Sequence, residues 1–205
     1  MKAIHGATAD DLWVVGRSGM TLHVTGAQTD APTFTALDSQ TWAMLHGVWA
    51  TGDEMFAVGG AGTVRHYSGT GDTLDIVPDV PGLETLHAVW GTSPDDVWAV
   101  GEAACVLHWD GAQWSRVAVR GLDGRRPDLY TVWTATPGKV WIGGDGVLLT
   151  LGGAPSGLPS SLVERPCSGR ASSSPGRSRS STPRPARRSA AASSPRGAWR
   201  CRPPG

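Results

Sequence analysis

Histidines and carboxylates recur along this chain at regular intervals, and both residue types can do chemistry. His23, His66 and His108 each stand seven residues beyond a glycine (Gly16, Gly59, Gly101), and His46 and His87 form a second series. Paired acids recur as Asp10-Asp11, Asp53-Glu54 and Asp95-Asp96. Imidazoles and carboxylates are metal ligands, and two carboxylates are the working pair of glycoside hydrolysis. The spacing argues against both uses. Equivalent positions on neighbouring packed sheets lie about 10 Å apart, whereas zinc ligands converge to about 2 Å from one ion. Acids that return with a repeat read as turn chemistry on a solvated face. No GxSxG, HExxH, P-loop or dinucleotide fingerprint is present. The three cysteines, Cys105, Cys167 and Cys201, have no CxxC spacing, so neither a zinc site nor a disulfide framework follows. The sequence thus predicts no catalytic residue, no metal site and no cofactor, and it identifies no ligand-binding residue.

The elements that carry these residues repeat. Trp98-Ala99-Val100-Gly101 returns as Trp13-Val14-Val15-Gly16, Phe56-Ala57-Val58-Gly59 and Trp141-Ile142-Gly143-Gly144, at spacings of 43, 42 and 43 residues. Upstream of Trp98, Leu86-His87-Ala88-Val89-Trp90 matches Leu45-His46-Gly47-Val48-Trp49 and Leu129-Tyr130-Thr131-Val132-Trp133, while His5 stands where the first copy would carry Trp.

Within one copy the short-range pattern is β throughout. Leu86 to Trp90 alternates and is rich in β-formers, and Gly91-Thr92-Ser93-Pro94-Asp95-Asp96 favours a turn through its Pro and Asp. Val97 to Val100 and Cys105 to Trp109 read as strands, Asp110-Gly111 as a two-residue hairpin, and Gln113 to Val119 as a fourth strand. The segments opening at Gly16, Gly59 and Gly101 read as turns, glycine-rich in the first two copies as positive φ would require. Four short antiparallel strands in about 42 residues are the size of a propeller blade. The expected fold is all-β, a partial propeller of about 3.5 to 4 blades over 1–40, 41–82, 83–125 and an incomplete 126–153. Trp13, Trp49, Phe56, Trp90, Trp98, Trp133 and Trp141 are expected to form the structural core between blades, each removing about 150 to 250 Å² from water.

Residues 86 to 117, LHAVWGTSPDDVWAVG…VLHWDGAQWSRV, resemble the Trp-rich tandem repeats of large exported bacterial β-propeller proteins, grouped with the BNR and glycosidase-type propellers. The resemblance implies a fold more than an activity, and an extracytoplasmic setting. The Asp-box S-x-D-x-G-x-T-W of sialidase propellers is absent, and Tyr67 and Tyr130 are the only tyrosines available as a nucleophile. The expected function is a non-catalytic binding or scaffold module from a larger repeat protein, with a protein or carbohydrate ligand. The alternatives are part of a glycosidase-like enzyme whose active residues lie elsewhere, and a truncated product without function. Two unpaired blade faces would call for missing blades or self-association.

The composition breaks near residue 155. Beyond it stand ten Arg and one acid, Glu164, for about +9, against eight basic and seventeen acidic residues before it. Nine of the ten Trp precede the break. Residues 154–205, rich in Ser, Pro and Arg, hold too little apolar area to offset ordering entropy and are expected to be disordered. Lacking Lys and any basic–aromatic interleaving, they are not expected to bind nucleic acid; an out-of-frame read of GC-rich coding sequence accounts for them better than a natural linker. No apolar run approaches the roughly 20 residues that span a membrane, and no signal peptide opens the chain.

Overall fold

Short alternating runs punctuated by Gly, Pro and Asp become fifteen antiparallel strands in the computed structural model, which describes residues 1–152. They group into four sheets of successive strands. The first holds β1 (Ala3–Gly6), β2 (Asp11–Val15), β3 (Thr21–Thr25) and β4 (Thr33–Leu37). The second holds β5 (Leu45–Thr51), β6 (Glu54–Gly59), β7 (Val64–Tyr67) and β8 (Asp75–Ile76). In the third are β9 (Leu86–Ser93), β10 (Asp96–Gly101), β11 (Val106–Trp109) and β12 (Trp114–Arg116). The fourth has three strands among the described residues, β13 (Leu129–Thr136), β14 (Lys139–Gly144) and β15 (Val147–Leu151). Each sheet is an up-and-down meander, and the opening strands β1, β5, β9 and β13 lie side by side as the innermost strands. These are propeller blades. The expectation of a disordered tail falls on residues 153–205, outside the described residues.

A blade buries both faces, so its strands must be apolar in both directions. Between the first and second blades, Trp13 and Val15 pack on Leu45, Val48, Met55 and Ala57. Between the second and third, Phe56, Val58 and Val64 meet Leu86, Val89, Val97 and Ala99. Between the third and fourth, Trp98, Val100 and Val106 meet Leu129, Val132, Val140 and Ile142. The same positions serve in every layer. The gross transfer term for one such Trp is about 4 to 6 kcal/mol at about 25 cal/mol per Å².

Trp13, Trp49, Phe56 and Trp98 are buried, and Trp90 and Trp141 are half-buried. Trp133 departs from the expected core role: it is 50 % exposed. Its side chain points where a following blade would stand, and the described residues place none there.

Local geometry bears out positive φ in the glycine-rich turns, at Gly19 and Gly62, and corrects two further expectations. Gly16, Gly59 and Gly101 are extended, with φ between −166° and −172°. Positive φ belongs to the following turns, at Ser18-Gly19, Ala61-Gly62 and Ala103-Ala104. What demands glycine at position 101 is space. A Cβ there would fall inside the Thr85 carbonyl oxygen and 2.9 Å from Leu86 Cα. The Asp110-Gly111 hairpin is longer than two residues, because Trp109 pairs with Trp114. Its Asp110 carboxylate accepts from the N–H groups of Ala112 and Gln113 at 3.0 and 2.9 Å, an Asx-type closure. The turn before β10 is also tighter than the sequence suggests, since β9 runs on to Ser93.

Candidate binding site on the inner strands

The recurring histidines divide into two groups with different fates. His23, His66 and His108 sit on the third strand of their blades, paired across the sheet with Trp13, Phe56 and Trp98. Their rings stack on those partners at centroid distances of 4.1, 4.4 and 4.1 Å. Each Nε2 then meets the second acid of the recurring pair: Asp11 at 2.8 Å, Glu54 at 3.0 Å and Asp96 at 2.7 Å. The paired acids were expected to be turn chemistry on a solvated face. Their second members instead close an aromatic–imidazole–carboxylate cluster inside each of three blades. The constant separation of twelve residues between acid and histidine was the available signal. The first member Asp10 does hold a turn, accepting from Gln28 N–H at 2.8 Å. In the fourth blade Lys139 and Thr150 occupy the acid and histidine positions, and the cluster is lost.

The cluster of the third blade has a proton linkage. Burial pushes the Asp96 carboxyl up, but hydrogen bonds from Thr92, His108 and Trp98 and the charge on His108 outweigh it and hold the group below its ordinary value. A carboxylate depressed in the folded state stabilises the fold above its unfolded pKa of about 3.9, and that contribution is lost as pH falls through the folded value. Urea midpoints measured from pH 5 to pH 2 should therefore fall more steeply for the native protein than for Asp96→Asn. Parallel curves would show that the carboxylate carries no linkage.

His46 and His87 have another environment. They lie at the start of the inner strands β5 and β9, three residues before Trp49 and Trp90, and Tyr130 holds the same place on β13. The His46 and His87 rings meet edge to face at 5.6 Å, and His87 meets Tyr130 at 5.1 Å. This is closer than the roughly 10 Å expected for stacked sheets, because blades converge toward their innermost strands. Three rings thus form one run across three blades, each at least partly accessible to solvent.

Charge is graded along the run. Lys2 takes the equivalent position in the first blade. Burial, then His87 and Lys2, lower the His46 pKa against an opposing pull from Glu102, so its ring is neutral at neutral pH. At the far end, partial burial and the carboxylates of Asp145 and Asp128 push the Tyr130 hydroxyl up, and that hydroxyl donates to Asp145 at 3.4 Å. The result is a strip of donor–acceptor rings with Lys2 at one end and the carboxylates of Asp145 and Asp128 at the other. Among the described residues no three His, Cys, Asp or Glu are grouped to hold a metal ion.

A second group of rings stands three residues further along the inner strands. His5, Trp49 and Trp90 converge there, with His5 edge-on to Trp90 at 5.2 Å and 6.5 Å from Trp49. Burial lowers the His5 pKa, and its Nδ1 accepts from the Ala50 N–H at 3.1 Å. Sequence reasoning placed Trp49 and Trp90 in the core, but it missed the run of His46, His87 and Tyr130 as one surface. The fixed offset of three residues from the inner-strand Trp was the clue.

The arrangement of blades has counterparts among solved structures. The chain is similar to a structure titled "YCF48 bound to D1 peptide", at 14 % identity and a TM-score of 0.53, over 72 % of this chain and 48 % of that one. It is similar also to YCF48 from Cyanidioschyzon merolae, at 16 % identity and a TM-score of 0.52, over 74 % of this chain and 51 % of that one. Both are β-propellers. This chain spans about half the length of the structures it matches. No family model and no curated protein sequence matches it. The shared property is the fold.

Proposed function

We propose that this chain is a non-catalytic propeller module that binds an extended peptide segment across its inner strands. The observation that carries the reading is the run His46–His87–Tyr130: rings at equivalent positions of three blades, in contact with one another and reachable from solvent. A neutral imidazole such as that of His46 can both donate to and accept from a peptide backbone, and Tyr adds a flat amphipathic contact with few rotors to freeze. The histidines of the other series are already committed to carboxylates within their own blades. The same hydrogen bonds occupy Asp11, Glu54 and Asp96, which supports binding over hydrolysis. A solved propeller of similar fold is titled as bound to a peptide, in keeping with this use of the architecture.

The test is selection of a random linear peptide library on the purified protein, followed by calorimetry with the recovered peptides. Tyr130→Ala and His87→Ala should each weaken binding by about tenfold or more, the size expected for an interface anchor, with the melting temperature little changed. Phe34→Ala, at an exposed position on the outermost strand of the first blade, should leave affinity intact. Peptides whose affinity ignores both Tyr130 and His87 would place the site elsewhere and end this reading.

A further inference from the structure

The two outermost blade faces of the described residues are the two halves of one interface, and that interface occurs three times inside the chain. On the receiving side of each internal layer stand four apolar positions: Leu45, Val48, Met55 and Ala57; then Leu86, Val89, Val97 and Ala99; then Leu129, Val132, Val140 and Ile142. The corresponding residues of the first blade are Met1, Ile4, Leu12 and Val14. All four are apolar, yet Ile4 is 63 % exposed where Val48, Val89 and Val132 are buried. On the inserting side stand Trp13, Phe56 and Trp98 with their neighbours. The fourth blade repeats that side with Trp141 and Leu148, the latter 46 % exposed where its counterpart Val106 is buried.

A second contact repeats with the same offset. The last inner-strand ring of each blade reaches the residue that follows its counterpart in the next blade. His5 Nδ1 accepts from Ala50 N–H, and Trp90 Nε1 donates to the Thr134 carbonyl at 2.9 Å. Trp49 lies over Gly91, where an added Cβ would stand 2.8 Å from its Cη2. Trp133 continues the series and is half exposed. The residue that would follow its counterpart in the first blade is Gly6, a glycine like the one that accommodates Trp49.

We infer that the fourth blade of this chain docks on the first blade of a second copy, repeating the internal inter-blade packing. The pairing is head to tail, so two copies can close a ring through two such contacts, and further copies extend the series when the rotation does not close.

Sedimentation velocity of the full chain from 1 to 50 µM tests this, with Ile4→Glu on one face and Leu148→Glu on the other, both at exposed positions that leave the blade interiors alone. The native chain should sediment at integer multiples of the monomer, two or more, and each variant alone as a monomer. Mixing the two variants should restore a heterodimer, because each retains one intact half. A monomeric native chain at 50 µM would mean that another occupant, such as residues 153–205 of the same chain, covers these faces, and would overturn the inference. Association unaffected by either substitution, or no heterodimer on mixing, would overturn it equally.

Discussion

Replacing Gly101 by alanine is expected to cost about 3 kcal/mol, at the upper end of what overpacking costs, although the change adds a single methyl group. The glycine is extended, so backbone strain is not the cause. The added Cβ would overlap the Thr85 carbonyl oxygen and stand 2.9 Å from Leu86 Cα. Both are backbone atoms at the entry of β9, and the Glu102 N–H donates to that same carbonyl at 2.9 Å. Relief therefore requires moving the strand that lines the inner surface. Gly59 and Gly144 are held in the same way, against the carbonyls of Met44 and Asp128, which is why the motif ends in glycine in those blades too. Urea unfolding of native protein and variant would measure the cost. A loss under about 1 kcal/mol would show that the entry to β9 shifts freely.

Trp98→Ala should destabilise by about 3 to 5 kcal/mol, the range for emptying a buried aromatic site. Trp98 is 4 % exposed and packs with Val132 and Val140 between the third and fourth blades. It also stacks on His108 at 4.1 Å and donates from Nε1 to Asp96 at 3.0 Å. Truncation thus opens a cavity and strips a wall from the imidazole–carboxylate pair. Trp98→Phe separates the two effects. The equivalent position in the second blade is Phe56, which stacks on His66 without any indole donor, so the phenyl ring should retain most of the packing and lose about 1 kcal/mol for the hydrogen bond. An alanine variant within 1 kcal/mol of native would place the ring outside the load of the interface.

The sequence carried the architecture because the signals for it are periodic. A large aromatic every 42 or 43 residues, with four short alternating runs between, has few packing solutions other than stacked meanders. What escaped was geometry that depends on convergence or on another chain segment. The link from Asp96 to His108 needs the register of β10 against β11. The His46–His87 contact needs the inward taper of the blades. At Ala103-Ala104 the left-handed turn has no glycine to announce it; its N–H groups are held by Asp128 and the Pro127 carbonyl at 2.9 and 2.7 Å, so tertiary bonds impose a conformation that local preference disfavours. Trp133 shows the same limit: its mid-strand setting matches Trp90, and only the neighbour on its far side decides whether it is core.

The absence of the imidazole–carboxylate cluster from the fourth blade, where Lys139 and Thr150 stand instead, bears on how the protein opens. Stacked repeats behave as a nearly one-dimensional series of unit and nearest-neighbour terms. A unit that lacks an internal tie and shares one layer with a neighbour lies at the low end of the opening free energies. The second and third blades hold both a cluster and two layers, so the protection of their amides should approach the global value. Among the described residues the amides of the fourth blade should therefore exchange sooner than those of the second and third, and that is the blade that carries Trp133 and Leu148.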